Sequence, residues 1–149
     1  MEVRFGQKMT TKCHQKDLWH IFSRLQDWQD WSGVFGQTAW TFGEPWKAGS
    51  RFFGELRFPR RVDVEVVVLK CHAPGEMVLL SHGAGFALEL WLQFRPEDWD
   101  STVISMDAAL VGSSSKSIEE IKASLLQMFE RFFDGLSMEA EKHCSLVAL

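Results

Sequence analysis

The residues from Ser117 to about His143 constrain this chain more than any others. Ile118, Ile121, Leu125, Met128, Phe129, Phe132, Phe133 and Leu136 recur at three- and four-residue steps, which places them on one side of a helix. Ser117 and Glu120 have the spacing of a capping box, in which hydroxyl and carboxylate each satisfy an orphan backbone N–H at the start. At about 1.5 Å per residue such a helix reaches roughly 40 Å. A stripe that long and that aromatic requires a large apolar surface elsewhere in the chain to cover it.

That surface is predicted between Gln37 and Leu110, where the periodicity is that of strands. Phe52, Gly54, Leu56 and Phe58 alternate with Arg51, Phe53, Glu55 and Arg57, and Val62, Val64, Val66 and Val68 alternate with Arg61, Asp63, Glu65 and Val67. Phe86, Leu88, Leu90, Leu92 and Phe94 form a third inward row, and Ile104, Met106, Ala108 and Leu110 a fourth. Between Met77 and Ser81 both faces are apolar, so either Leu79 or Leu80 can be the inward residue. Pro and Gly in the stretches 43–49, 74–75 and 83–85 punctuate the strands as turns or bulges, and Ser113, Ser114 and Ser115 read as a flexible lead into the long helix. Ahead of this meander, Val3, Phe5 and Gln7 predict a short first strand. Leu18, Ile21, Phe22 and Leu25 predict an amphipathic helix, and Trp28 and Trp31 a second short helix or turn ending at Gly33. Both tryptophans are expected to plug the join between helices and sheet.

The whole chain bounds the function classes. Its 149 residues suit one domain, 1–149, and a formal net charge of −4 argues against a nucleic-acid surface, which needs Lys and Arg in excess. The cluster Arg57, Arg60 and Arg61 is expected to be a solvated edge. Without a secretion signal or a long apolar run, the expected location is the cytoplasm with no integral membrane association. Cys13, Cys71 and Cys144 are odd in number and widely spaced, so no disulfide framework is expected. Each adjoins a histidine, but adjacent residues rarely chelate one ion, and no metal site is assigned. No phosphate-binding glycine loop is present, and no cofactor is implied.

The order of elements, together with particular residues, resembles a known superfamily. Asp17, Leu18 and Trp19 followed by Trp28 and Trp31, the stretch Trp46-Lys47-Ala48-Gly49-Ser50-Arg51-Phe52, and the Phe94-Arg95-Pro96 turn before Ser101-Thr102-Val103 carry the likeness. The sequence resembles the START/Bet v 1-like superfamily, and within it the bacterial polyketide cyclase/dehydrase and lipid-transport group. The resemblance implies an α+β helix-grip fold, a curved antiparallel sheet of about seven strands wrapped around the C-terminal helix with two short helices after the first strand. It also implies an apolar pocket between sheet and helix. The expected lining is Trp40, Phe52, Leu56, Phe58, Val64, Val66, Phe86, Leu88, Leu90, Ile104 and Met106 from the sheet, with Leu125, Met128, Phe129 and Phe132 from the helix. Gly54 and Ala108 are where space is expected to remain, and Met106 and Met128 are expected to adapt to more than one guest. A pocket of roughly 300 Å³ left empty would cost near 7 kcal/mol at about 24 cal/mol per Å³, which predicts a guest or a partly collapsed wall.

Catalytic equipment is sparse. There is no tyrosine to donate a proton, and the inward strand positions are almost wholly apolar. No catalytic residue is assigned; His82 is the one candidate, facing the interior if Leu80 does. The leading expectation is a carrier or sensor of a hydrophobic small molecule, either a lipid, sterol, quinone or polyketide-like compound, in a monomer or weak homodimer. The rivals are a cyclase or dehydratase using His82 in the same pocket, and a chaperone-activator-like interaction module presenting Trp46, Trp91 and Trp99.

Overall fold

The computed structural model describes residues 2–83, 85–112 and 115–148, the side chains of 115–117 and 145–148 excepted. Strand β1 (Glu2–Thr11) leads into helix α1 (Gln15–Ser23), a single 3₁₀ turn (Leu25–Asp27) and the one-turn helix α2 (Trp28–Trp31). Strands β2 (Phe35–Phe42), β3 (Arg51–Leu56), β4 (Val62–His72), β5 (Glu76–Gly83), β6 (Phe86–Asp98) and β7 (Ser101–Gly112) follow, then helix α3 (Ser115–Ala148). The sheet is antiparallel and seven-stranded in the order β1-β7-β6-β5-β4-β3-β2, so the meander is closed at one edge by the first strand. The Ser117–Glu120 capping box, Ala84, and Ser113 and Ser114 of the serine lead lie outside the described residues.

The elements form where the periodicities predict them, and several run longer. β1 extends to Thr11 because it pairs residue by residue with β7, from Glu2 opposite Val111 to Thr11 opposite Thr102. β6 continues through Pro96 to Asp98, leaving only Trp99 and Asp100 as the turn. Leu25 sits in the 3₁₀ turn rather than in α1, although its side chain is buried with Leu18, Ile21 and Phe22. Pairing settles the ambiguous register of β5: Val66, Ser81 and Leu88 are direct neighbours across three strands, and so are Val68, Leu79 and Leu90. Leu79 and Ser81 therefore face inward with the valine row, while Leu80 and His82 face out.

α3 is 34 residues long, about 50 Å at 1.5 Å per residue, and it lays its aromatic stripe across the sheet. Ile118, Leu125, Met128, Phe129, Phe132, Phe133, Leu136 and Ala140 are buried in that contact and Ile121 packs against it. The C-terminal half of the helix is also tied by polar and covalent bonds. The Thr11 hydroxyl donates to Glu141 Oε2 at 3.2 Å, the Ser137 hydroxyl lies 2.9 Å from Thr11 Oγ1, and Cys13 is disulfide-bonded to Cys144 across 131 residues of sequence. That bond corrects the reading of the cysteines as lacking a disulfide: an odd count with wide spacing says nothing about which two the fold brings together. Their Cα atoms are 5.7 Å apart, the ordinary span of such a bond.

α1 and α2 cross one end of the sheet, and their aromatic residues fill the join. The Trp28 indole N–H donates to the Phe22 carbonyl at 2.7 Å, and its ring lies 5.1 Å from Phe132 and 5.6 Å from Phe52, centroid to centroid. Trp46 is buried in the same cluster, its indole N–H donating to the Ser23 carbonyl at 2.7 Å. Its backbone takes a left-handed φ of 66°, unusual for a bulky side chain. The exposed contact role expected of Trp46 is thereby corrected; Trp91 is half-buried, and Trp99 alone of the three is exposed, at 79%. No helix among the described residues is long and apolar enough to cross a membrane.

α3 reaches α2 only because position 135 has no side chain. A Cβ at Gly135 would fall inside the contact distance of the Trp31 carbonyl oxygen and 3.3 Å from Ser32 Cα. Gly135→Ala should therefore lower stability by about 1–3 kcal/mol, the usual cost of overpacking, although Ala is the better helix former by about 1 kcal/mol. Urea unfolding followed by circular dichroism measures it, and a midpoint equal to or above the parent's would contradict this close approach.

Candidate functional site

A cavity of about 80 Å³ remains between the concave face of the sheet and α3. Its wall is made by Phe52 and Leu56 of β3, Val64 and Val66 of β4, Leu79 and Ser81 of β5, and Phe86, Leu88, Leu90 and Leu92 of β6. Leu125, Met128, Phe129, Phe132 and Phe133 of α3 form its roof, and Phe22, Trp28 and Phe35 close one end. Of these eighteen side chains only that of Ser81 is polar, and none is titratable.

The structure brings together most of the side chains expected to line a pocket, namely Phe52, Leu56, Val64, Val66, Phe86, Leu88, Leu90, Leu125, Met128, Phe129 and Phe132. Four stand elsewhere. Trp40 turns away to pack its ring 5.1 Å from Trp46 and 5.2 Å from Phe52, behind the wall. Phe58 lies at the margin, where the Arg131 guanidinium sits 4.4 Å over its ring. Ile104 and Met106 face inward, but in a filled part of the core, each 1% exposed. The space expected beside Gly54 is occupied by Phe35, whose ring would lie 2.9 Å from a Cβ placed there. Ala108 is buried in the core between Phe5 and Leu90 and does not touch the cavity.

Phe22, Trp28, Phe35, Leu79, Ser81, Leu92 and Phe133 were not anticipated as lining. Leu92 and Phe133 continue rows already visible in the sequence, so period alone would have included them. The other five depend on how α1 and α2 fold over the sheet end and on the register of β5, neither of which a local pattern carries.

Among the described residues no titratable side chain faces the cavity, and its one polar group is the Ser81 hydroxyl. His82 is exposed on the outer face, which removes the interior position considered for it. Cys71 is a free, half-buried thiol on β4; burial pushes its pKa up, outweighing the Ala73 backbone and the Lys47 charge, so little thiolate forms near neutrality. Two members of the arginine cluster share one carboxylate. Arg57 Nε and Arg61 Nη2 lie 2.8 and 2.7 Å from the two oxygens of Glu55. The hydrogen bond from Arg57 is the main reason the Glu55 carboxyl is held below its ordinary pKa. The Asp17 carboxylate lies within 4.8 Å of the sulfurs of Cys13 and Cys144, but sulfurs bonded to each other carry no thiolate for a metal; Cys71 stands apart on β4.

An apolar cavity between a curled antiparallel sheet and a long C-terminal helix is the helix-grip architecture of START/Bet v 1-like proteins, and this chain has that fold. It is similar to a START superfamily protein from Mycobacterium smegmatis, with a TM-score of 0.80 and 12% identity over 93% of this chain and 97% of that one. It is similar also to the Zhui aromatase/cyclase from Streptomyces sp. R1128, with a TM-score of 0.85 and 7% identity over 97% and 96% of the two chains. The truncated norcoclaurine synthase from Thalictrum flavum matches at a TM-score of 0.69 and 14% identity over 92% of each chain. No protein-family model and no curated protein matches the sequence. At such identities the likeness carries the fold, and the chemistry has to come from this chain's own residues.

If the roof is held by apolar packing alone, shortening one of its side chains should be costly. Met128→Ala should lower unfolding free energy by about 2–5 kcal/mol, the range for large-to-small changes in cores. Denaturant titration measures this, and a loss below about 1 kcal/mol would mean that the neighbours close over the enlarged space.

Proposed function

We propose that this chain binds a hydrophobic small molecule in the cavity beneath α3 and serves as its carrier or sensor. The observation that carries this reading is the composition of the wall, in which seventeen of eighteen side chains are apolar and none can carry a proton at neutral pH. Such a wall gains about 25 cal/mol for each Å² of apolar guest surface it removes from water. Acid–base catalysis, by contrast, needs a proton carrier within hydrogen-bond reach of the substrate. With His82 outside, a cyclase or dehydratase would have no such group in this cavity.

The volume sets a further condition. About 80 Å³ is below the roughly 300–1,000 Å³ of most small-molecule sites, so a lipid, sterol, quinone or polyketide-like guest has to displace part of the wall. The wall is suited to that. Met128 is unbranched and turns about three side-chain bonds, and Phe86 is only half-buried at the start of β6. Left empty, the cavity costs about 2 kcal/mol at 24 cal/mol per Å³, a modest fraction of a domain's stability.

Native mass spectrometry or organic extraction of the purified protein should yield a compound of defined mass. A thermal-shift screen of fatty acids, sterols, quinones and aromatic polyketides is the complementary test. A guest at about one hundred times its dissociation constant adds roughly 2.7 kcal/mol of stability. His82→Ala should respond to the same compounds with the same affinity. No shift across the four classes would overturn the carrier reading, and turnover of a polyketide that disappears in His82→Ala would establish the enzyme instead.

A further inference from the structure

Ser81 is the one residue of the cavity wall whose chemistry its surroundings do not explain. It lies inward on β5, 9% exposed, between Val66 of β4 and Leu88 of β6 in the register of the sheet. Its hydroxyl makes no hydrogen bond among the described residues, whereas the buried Thr11, Ser32, Ser50, Ser101, Thr102 and Ser137 each make one; Ser105, the other buried hydroxyl without a partner, stands on the opposite face of the sheet, across from Gln93 of β6. A strand position walled by apolar neighbours favours a β-branched or larger apolar residue, and a serine there loses packing as well as the water that would solvate its hydroxyl.

Water is a poor remedy. A buried water needs two to four polar partners, and this wall supplies one. A guest that brings its own oxygen meets the need. We infer that Ser81 is the polar anchor of the cavity and selects a neutral, mainly apolar molecule carrying a hydroxyl or carbonyl oxygen. The inference rests on the hydrophobic-ligand reading above and narrows it. A serine hydroxyl both donates and accepts, so it can serve an alcohol, a phenol or a ketone. It cannot neutralise a charge. A carboxylate or ammonium headgroup would be buried without a counter-ion, which excludes ionised fatty acids and amines with their charge inside the wall.

The test compares guests of matched shape on the full chain and on two variants. Phenol with toluene, and 2-naphthol with 2-methylnaphthalene, differ mainly by one hydroxyl in place of one methyl; benzoate supplies the charged counterpart. Dissociation constants are measured by calorimetry or ligand-observed NMR for the parent, Ser81→Ala and Ser81→Thr. The preference for the hydroxylated member of each pair should fall about threefold to tenfold in Ser81→Ala, the range for one neutral hydrogen bond. Affinity for the methylated member should hold, Ser81→Thr should retain the preference, and benzoate should not bind. An equal preference in parent and Ser81→Ala would overturn the anchor while leaving a hydrophobic site in place. Failure of all the neutral probes to bind any of the three proteins would overturn the anchor and the hydrophobic-ligand reading together.

Discussion

A helix about 50 Å long lies against the concave side of a seven-stranded sheet, and a nearly straight rod cannot touch a curled surface everywhere along its length. The apolar stripe on α3 has to be covered, because leaving Leu125, Met128, Phe129, Phe132 and Phe133 in water would forfeit about 1.5–3 kcal/mol for each. The sequence meets this with bulk at one end. Phe22, Trp28, Phe35, Trp46 and Phe52 close over Phe132 in a continuous run of ring contacts, and Trp28 and Trp46 spend their N–H groups on backbone carbonyls of α1. Further along, the facing residues are Val64, Val66, Leu79, Ser81, Leu88 and Leu90, smaller on average, and there the gap of about 80 Å³ stays open.

The fastening of α3 is uneven in the same direction. Its bonds to the rest of the chain gather after the stretch that roofs the cavity: the tight approach at Gly135, the Thr11–Ser137–Glu141 hydrogen bonds, and Cys144 joined to Cys13. Over the cavity the one such tie among the described residues is from the Gln7 side chain to the Leu126 carbonyl at 3.0 Å. Apart from that tie and the Arg131 guanidinium over Phe58, the roof from Leu125 to Phe133 is held by apolar contact, which is the interaction a hydrophobic guest can replace without leaving a donor or acceptor unpaired. A cavity that must grow to admit its ligand is thus placed beneath the part of the helix whose displacement costs least.

Periodic elements were legible in the sequence because each side chain reports its own face. The stripe of α3 and the alternating rows of β4 and β6 needed no knowledge of partners, and they alone specify a helix over an antiparallel sheet. What depends on distant pairing was not legible. Cys13 and Cys144 have no motif between them, since their meeting is fixed by where β1 ends and α3 runs. Trp46 stands among Gly, Pro and Lys in what reads as an exposed turn, yet a left-handed backbone angle turns its ring into the core. Gly54 did carry a signal, because a glycine inside a strand often marks a close approach; what approaches is the ring of Phe35, not empty space.

The decisive ambiguity was one residue wide. From Met77 to Leu80 every side chain is apolar, so β5 offered two registers of equal local merit, and a slip of one exchanges its faces completely. In one register a histidine enters the cavity and a reaction can be written around it; in the other a serine enters and the cavity has one hydrogen-bonding group and no proton carrier. The neighbours decide, not β5 itself: Val66 and Leu88 belong unambiguously to inward rows, and both pair with Ser81. The chemical character of the site is therefore a property of the strands on either side, whose strict alternation leaves β5 a single way to join the sheet. A chain with the same β5 but a less regular β4 would leave open whether its pocket held an imidazole or a hydroxyl.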